Sequence, residues 1–573
     1  MKKLLLPFLV LFFGLFLIYP VGYLLQGAFF IEAGGSRTFT LDYFRIIFEN
    51  PFYRECFTNS LLIACWSTFF TLLIAVPLAY FFLRCDFPGK ALLGGAMLLP
   101  LILPPFVGAI GLKQFFSRFG SLNLLLSQCR LVDLKHPPDW FGEGGFAGII
   151  LLQVLHLYPI MYLSVQAALA NLDPSLRDAA RNLGAGGSRI FRTVTLPLAL
   201  PGIFAGSTLV FVAAFTDLGV PLMFEFQTTV PTQIFNLVTQ ADNPLGYALV
   251  VITLILVSLL FLLGKKLGEG NYAMLGRSAS YDDIHRLSPA KGWFMTAAVA
   301  LLIGVSLLPH LGVIIQSFSA KWFFSVFPSE WSAAYYGEIF RTDLTSLSIK
   351  NSLIYAVSSA SLDLVLGFCV AYMLARENFR GKNLLDIMAM IPLALPGLVL
   401  AFAYFVAFSR PVFPESWTDW NAAWLTLFDP RKNPTLLLVI AYAIHRLPYI
   451  VRAAYAGFQQ THVSLEEASA NLGATPWKTL LQISLPLLSA NLIAGTILTF
   501  SFAMLDVSNG MILAQETVFY PVTKAVYMLM GRITPTAPSI ACALGVLAMG
   551  LLAACLFGAS KLLGQKMGQL FKA

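Results

Sequence analysis

The sequence predicts an all-α polytopic membrane protein of about 12 transmembrane helices, arranged as two tandem parallel six-helix repeats. Three observations predict it. First, 58% of the 573 residues are hydrophobic and only 12% are charged, whereas soluble domains carry roughly 25% charged residues to wet their surface. Second, apolar runs recur at the length of about 20 residues that a bilayer crossing needs. Third, the sequence repeats itself when slid by about 290 positions. A mean hydropathy of +0.76 leaves transporters, channels and intramembrane enzymes.

Taken in order, Met1-Lys2-Lys3 is followed by an apolar run from Leu4 to Leu25. Its length exceeds a signal-peptide core and no small-residue cleavage site follows, so it reads as a first span. Further spans are predicted over 60–83, 91–116, 147–168, 195–216, 246–264, 293–317, 352–375, 384–408, 435–457, 484–505 and 539–560, the first covering 4–30. Lys and Arg flanking a span are retained on the cytoplasmic side. With Lys2 and Lys3 inside, 22 of the 37 basic residues, Arg446 counted among them, fall on that side against 14 opposite. Both termini are therefore expected in the cytoplasm. Seven Cys without paired spacing exclude a disulfide scaffold and a structural zinc site. The +8 charge is spread over short segments, which suits a membrane surface and gives no nucleic-acid stripe.

At an offset of 292, the segment from Asn59 resembles that from Asn351, and Arg84, Gly89, Pro100 and Pro104 pair with Arg376, Gly381, Pro392 and Pro396. At 289, the segment from Leu176 matches that from Leu465. An even number of spans separates the copies, so the halves are related by an axis along the membrane normal. The division expected is 1–277 for the first half, 278–290 for a cytoplasmic linker and 291–573 for the second half.

Between the fourth and fifth spans of each half lies a polar segment. Ser175 with Asp178, and Ser464 with Glu467, have capping-box spacing for a helix start. Gly184 and Gly473 supply the left-handed stop. A second short helix is expected from near Ser188 and near Pro476 to Leu196-Pro197 and Leu485-Pro486. The result is a helix, turn, helix elbow outside the bilayer.

The elbows resemble the EAA coupling loop of binding-protein-dependent ABC importer permeases: Asp178-Ala179-Ala180, Gly184 and Leu196-Pro197, then Glu467-Ala468-Ser469, Gly473 and Leu485-Pro486. Asp replaces Glu in the first copy and Ser replaces Ala in the second. The similarity extends over nearly the whole chain, with Met1–Leu25 and Gly292–Ser317 as an added first span in each half. Fused two-half permeases of this length are most similar to the ferric-iron type, with thiamine and phosphonate relatives. The resemblance implies a type I importer fold in the bacterial inner membrane and two copies of a cytoplasmic ATPase docked on the elbows. It also implies one periplasmic binding protein, and ATP and Mg held by the ATPase. The chain itself has no phosphate-binding loop, hence no cofactor and no catalytic residue is expected in it.

Asp217 and Asp506 align at offset 289 and are candidates for the translocation path, although capping of helix ends serves equally. Asp363 and Lys113 stand alone within spans, and the His residues show no metal spacing, so a metal site is left open. Gly202 and Gly206 read as a packing face. Val220–Gly246 is too polar and Pro-broken to span and is expected to be re-entrant. The stretches Thr193–Gly264 and Thr479–Thr523 contain no Lys or Arg beside Asp217, Glu225, Asp242, Asp506 and Glu516, which favours a cationic solute, ferric iron first. Thiamine, phosphonate or sugar phosphate are the alternatives for the solute, and a secondary transporter of major-facilitator type is the rival class. That class needs protonatable groups inside the bundle, and the spans offer little beyond Asp363 and Lys113.

Overall fold

A computed structural model of the protein describes residues 2–33, 36–142, 145–238, 243–268, 285–414 and 416–563. Among them, ten helices are long and apolar enough to cross a membrane, from Leu5–Phe29 to Ala537–Gly558. Two more crossings are broken. Lys90–Ile102 and Pro105–Gln128 meet at 96°, and Lys382–Ala394 and Gly397–Phe408 meet at 104°. The spans expected over 91–116 and 384–408 are therefore bent pairs of helices. The cause is the aligned prolines: Pro104 and Pro396 lack the N–H that would continue the helix, and they force the preceding residue out of the α region. Leu103 (ψ 134°) and Leu395 (ψ 118°) are accordingly extended.

The bends bury their outer arms. Along Gly397–Phe408 every residue from Leu398 onward is buried, and Phe106–Leu112 is buried in the first half. Each arm is covered by the opening span of the other half. Tyr19 of the first span donates to the Ala407 carbonyl at 3.1 Å, Tyr404 donates back to the Phe16 carbonyl, and Phe16 stacks on Phe408. In the mirror position the seventh span, Pro289–Ser317, crosses Pro105–Phe116 at paired glycines. A Cβ on Gly111 would lie 1.9 Å from the Pro309 oxygen, and one on Gly312 would lie 2.7 Å from the Gly111 Cα. Only Gly permits backbones this close. The two halves are thus interlocked through their first spans.

Of the linker expected over 278–290, residues 278–284 lie outside the described residues, as does the first half's expected end at 277. His285–Arg286 forms a short parallel strand pair with Cys85–Asp86, and Thr296 donates to the Pro88 carbonyl at 2.7 Å, so the end of the linker is fastened to the loop after the second span. Asp242 also lies outside the described residues.

Gly202 and Gly206 pack the fifth span on the fourth: added Cβ atoms would fall 2.3 Å from Ala168 and 2.8 Å from Ser164. The segment after Asp217 folds into two short buried helices, Gly219–Met223 and Val230–Val238. The first turn of the second is clasped by the residues that open the internal repeat. Asn59 donates to the Thr228 carbonyl at 3.1 Å, and the Val230 N–H donates to Ser60 at 2.9 Å. The same bonds recur in the second half: Asn351 donates to the Tyr520 carbonyl at 3.2 Å, and the Val522 N–H donates to Ser352 at 2.8 Å. The Asn-Ser pair recurs in sequence because it holds the same turn twice.

Candidate functional site

Each elbow opens on a short helix, Pro174–Asn182 and Ser464–Asn471. The capping boxes expected at Ser175/Asp178 and Ser464/Glu467 are corrected. In the first elbow Asp173 is the cap, accepting the Ser175 N–H at 2.9 Å, because Pro174 is suited to a first helical position. In the second, Ser464 is itself the first helical residue and no side chain caps it. Asp178 instead lies 3.9 Å from Arg181 at the surface.

The helix ends match the expectation. Gly184 and Gly473 have φ of +83° and +84°. The N–H of Ala185 bonds the Ala180 carbonyl and that of Gly184 bonds Arg181, with Ala474 to Ser469 and Gly473 to Ala470 in the second copy. This is the Schellman stop, which satisfies carbonyls a helix end leaves open. Leu183 and Leu472 precede the glycines and are 89% and 90% exposed. Asp178, Ala179, Glu467 and Ala468 also face outward, while Ala180 and Ser469 turn inward. The second elbow helix is not separate from the membrane. It continues through five-residue π segments, Phe191–Thr195 and Leu480–Ser484, into the fifth and eleventh spans. Pro197 and Pro486 follow at once and, lacking an N–H, fit where the helical ladder is already widened.

Beneath this shared backbone the two elbows are held differently. Arg376, at the end of the eighth span, sets its Nε 3.1 Å from both Glu466 oxygens and its Nη2 3.0 Å from the Thr461 carbonyl. Ser484 donates to Glu466 at 3.1 Å, and Ser469 and Thr479 share a hydrogen bond of 2.9 Å. The corresponding first-half residues are Arg84, Arg177, Thr195, Ala180 and Ile190. With Arg177 in place of Glu466 no such ion pair forms, and the buried Arg177 Nε has no hydrogen-bond partner among the described residues.

The spans that lead from the elbows end at Asp217 and near Asp506, and the structure brings these two carboxylates to one cavity of about 610 Å³ between the halves. Gln153, His156 and Asp217 line it from the first half, and His445, Arg446 and Asp506 from the second. Asp217 accepts the Gly219 N–H at 3.0 Å, capping the short helix that follows, and the Gln153 amide at 3.3 Å. Gln153 is held in turn by Ser67 at 2.9 Å. Asp506 accepts the Asn509 N–H at 2.9 Å, the Asn509 side chain, and Arg446 Nη2 at 3.1 Å. Both carboxylates therefore cap a turn and line the cavity.

A family model described as the binding-protein-dependent transport system inner membrane component matches residues 59–269 and 364–568, one copy in each half. The chain belongs to this family. It is the multi-pass permease component of an ABC importer, with two permease domains in one polypeptide, and such components are not themselves enzymes. A Haemophilus influenzae protein named as a ferric transport system permease is 26% identical over 515 residues, covering 87% of this chain and 76% of the relative. The ferric transport system permease protein of Actinobacillus pleuropneumoniae is 25% identical, covering 87% and 69%. The molybdenum transport system permease protein of Escherichia coli K12 is 33% identical over 212 residues, covering 35% of this chain and 88% of the relative.

Of the acidic residues grouped with the path in the sequence, Glu225 lies elsewhere in the permease. Glu225 pairs at the surface with Lys113 at 3.0 Å, and Lys113 also reaches the Met223 carbonyl. Arg446 is corrected in the opposite direction. Counted with the flanking loops, it lies within the helix Thr435–Gln460 and faces the cavity. The signal was in the repeat, where offset 289 sets Arg446 against Leu157 and His445 against His156. Lys524, one residue past the basic-free stretch, is buried and donates to the Met511 and Ala514 carbonyls at 2.8 and 2.5 Å. Among the described residues no group of three or more His, Cys, Asp or Glu is placed to hold a metal ion.

Proposed function

We propose that the chain forms the whole translocation path of a ferric-iron importer. It takes solute from one periplasmic binding protein and is driven by two copies of a cytoplasmic ATPase, one docked on each elbow. Asp178, Ala179, Ala180 and Gly184, with Glu467, Ala468, Ser469 and Gly473, are the docking residues, and Leu183 and Leu472 are the apolar knobs at the tips. ATP and Mg are held by the ATPase. The elbows and both termini are cytoplasmic on this reading.

The observation that carries it is the cavity at the far ends of the elbow spans, with Asp217 and Asp506 on facing walls. Arg446 cancels one of the two carboxylates, while the partners of Asp217 are an amide and backbone N–H groups. The wall keeps one negative charge in excess, which suits a cation and opposes an anion. The names of the two long relatives agree with iron. Arg446 and the molybdenum relative favour a second reading, in which an oxyanion passes along the guanidinium.

The test is uptake by the reconstituted complex of labelled ferric iron, labelled molybdate and a labelled organophosphate, with Asp217→Asn/Asp506→Asn alongside. Iron uptake that falls in the double variant is expected. Uptake of an oxyanion or organophosphate alone, unchanged by the double variant, overturns both the solute and the role given to the carboxylates.

A further inference from the structure

The cavity wall of the second half holds one more charge pair than that of the first. Arg446 Nη2 donates to Asp506, its guanidinium lies 5.4 Å over the Phe502 ring, and its Nε is buried without a hydrogen-bond partner among the described residues. Asp363, on the eighth span, is 1% exposed, and neither of its oxygens has a hydrogen-bond partner among the described residues. A carboxylate buried in this state is costly unless a cation serves it.

Helix register identifies the cation. The eighth and tenth spans run in the same direction and touch where a Cβ on Gly367 would lie 2.4 Å from Ile450. Asp363 and Arg446 each stand four residues earlier, on the same face of their helix, so the two stand at one level. The first half has Thr71 and Leu157 at these places, and there Thr71 donates to its own helix. The second half therefore carries an arginine with one carboxylate engaged and a second at its level on the neighbouring span.

The two carboxylates are mounted differently. Asp363 and Arg446 belong to two continuous helices, Asp343–Arg376 and Thr435–Gln460, that pack on one another. Asp506 lies in the break between Pro476–Met504 and the short helix Ser508–Leu513. Its neighbour Val507 packs against Gly219 of the other half. A movement of one half against the other therefore displaces Asp506 and leaves Asp363 beside Arg446.

We propose that Arg446 is a mobile counter-ion of the translocation cavity: it neutralises Asp506 in this conformation and passes to Asp363 when the halves rock, baring Asp506 to the solute. The cavity then gains one negative charge at one stage of the cycle. The inference rests on the cavity being the path, and its first test needs no knowledge of the solute.

That test is a structure of the complete complex, permease with its ATPases and binding protein, trapped with ATP. Arg446 is expected within hydrogen-bond distance of Asp363 and beyond reach of Asp506. Arg446 bonded to Asp506 in both the resting and the trapped complex overturns the proposal. The second test removes the destination. Asp363→Asn should lower ATP-driven uptake of labelled ferric iron by about tenfold, with co-purified ATPase unchanged. Should that variant fail to insert, the double change Asp363→Thr/Arg446→Leu gives the second half the residues of the first at these positions. It too should lose uptake, whereas wild-type uptake by either variant shows the extra charges to be dispensable and sinks the switch. If the wild-type complex takes up no iron, the functional reading fails and the structural test still decides the switch.

Discussion

The two elbows have the same backbone and different fastenings. Both end on a left-handed glycine, both expose a leucine beside it, and both run through a π segment into a membrane span. The second is tied to the eighth span by Arg376 and Glu466, whose side chains are only 10% and 15% exposed, and to its own second helix by Ser469 and Thr479. The first has Arg177, Ala180 and Ile190 at the equivalent places, where neither the ion pair nor the hydroxyl–hydroxyl bond can form. What the duplication has kept is the shape presented outward. What it has allowed to drift is the chemistry underneath, provided that both members of each contact change together.

If the outward shape is what the ATPases read, the largest effect belongs to the glycines. A Cβ on Gly184 or Gly473 would meet no atom within 4 Å, so substitution costs only the left-handed backbone, about 1–2 kcal/mol for each site. Gly184→Val/Gly473→Val should abolish solute-stimulated ATP hydrolysis, while Asn, which tolerates this conformation, should retain it at either site. Normal stimulated turnover in the double valine variant, at wild-type expression, would separate the elbows from coupling.

The fastenings come next. Removing one member of a nearly buried ion pair costs about 3 kcal/mol, because the other charge is left uncompensated. Glu466→Ala should therefore loosen the second elbow, seen as rapid amide exchange over Ser464–Asn471. Arg177→Ala at the aligned position breaks no ion pair and removes a buried Nε that has no hydrogen-bond partner among the described residues, so it should stay within about 0.5 kcal/mol. Equal exchange in the two variants would mean that the ion pair holds nothing.

Much of this architecture is legible in the residues. Ten of the spans follow from apolar length, and the elbows follow from turn chemistry at fixed spacing. What escaped has physical causes. The bends at Leu103-Pro104 and Leu395-Pro396 were written in the aligned prolines, but an apolar count does not register direction. Arg446 was misplaced because a charge eleven residues into a helix resembles a loop charge until a cavity is seen beside it. Asp363 showed itself as a lone acid, and only the register set by Gly367 against Ile450 gives it a neighbour. The interlock of the first spans has no local signal, since Tyr19 and Ala407 are 388 residues apart.

That interlock sharpens the comparison at the level of whole halves. Cutting the chain between residues 280 and 281 severs a connection, but each fragment still lacks the span that covers its broken helix. Co-expressed 1–280 and 281–573 should restore uptake, and either fragment alone should be degraded. Uptake that fails with both fragments inserted would make the linker more than a tether, and a stable lone fragment would show that the crossed spans are not needed for folding.

The smallest effect tests the claim that paired changes are tolerated. Ser469 and Thr479 share one hydrogen bond where the first half has Ala180 and Ile190, and Thr479 and Ile190 are both buried. Ser469→Ala alone strands the Thr479 hydroxyl and should cost about 1 kcal/mol. Ser469→Ala/Thr479→Ile replaces both partners by the pair that the first elbow already packs, and replacing both partners by apolar groups can be nearly neutral. The two changes should therefore fail to add, with the double variant more stable than Ser469→Ala by about 1 kcal/mol in a double-mutant cycle read by thermal unfolding of the complex. Strict additivity would mean that Ser469 and Thr479 are not coupled. The difference between the elbows would then lie in the Arg376–Glu466 pair alone.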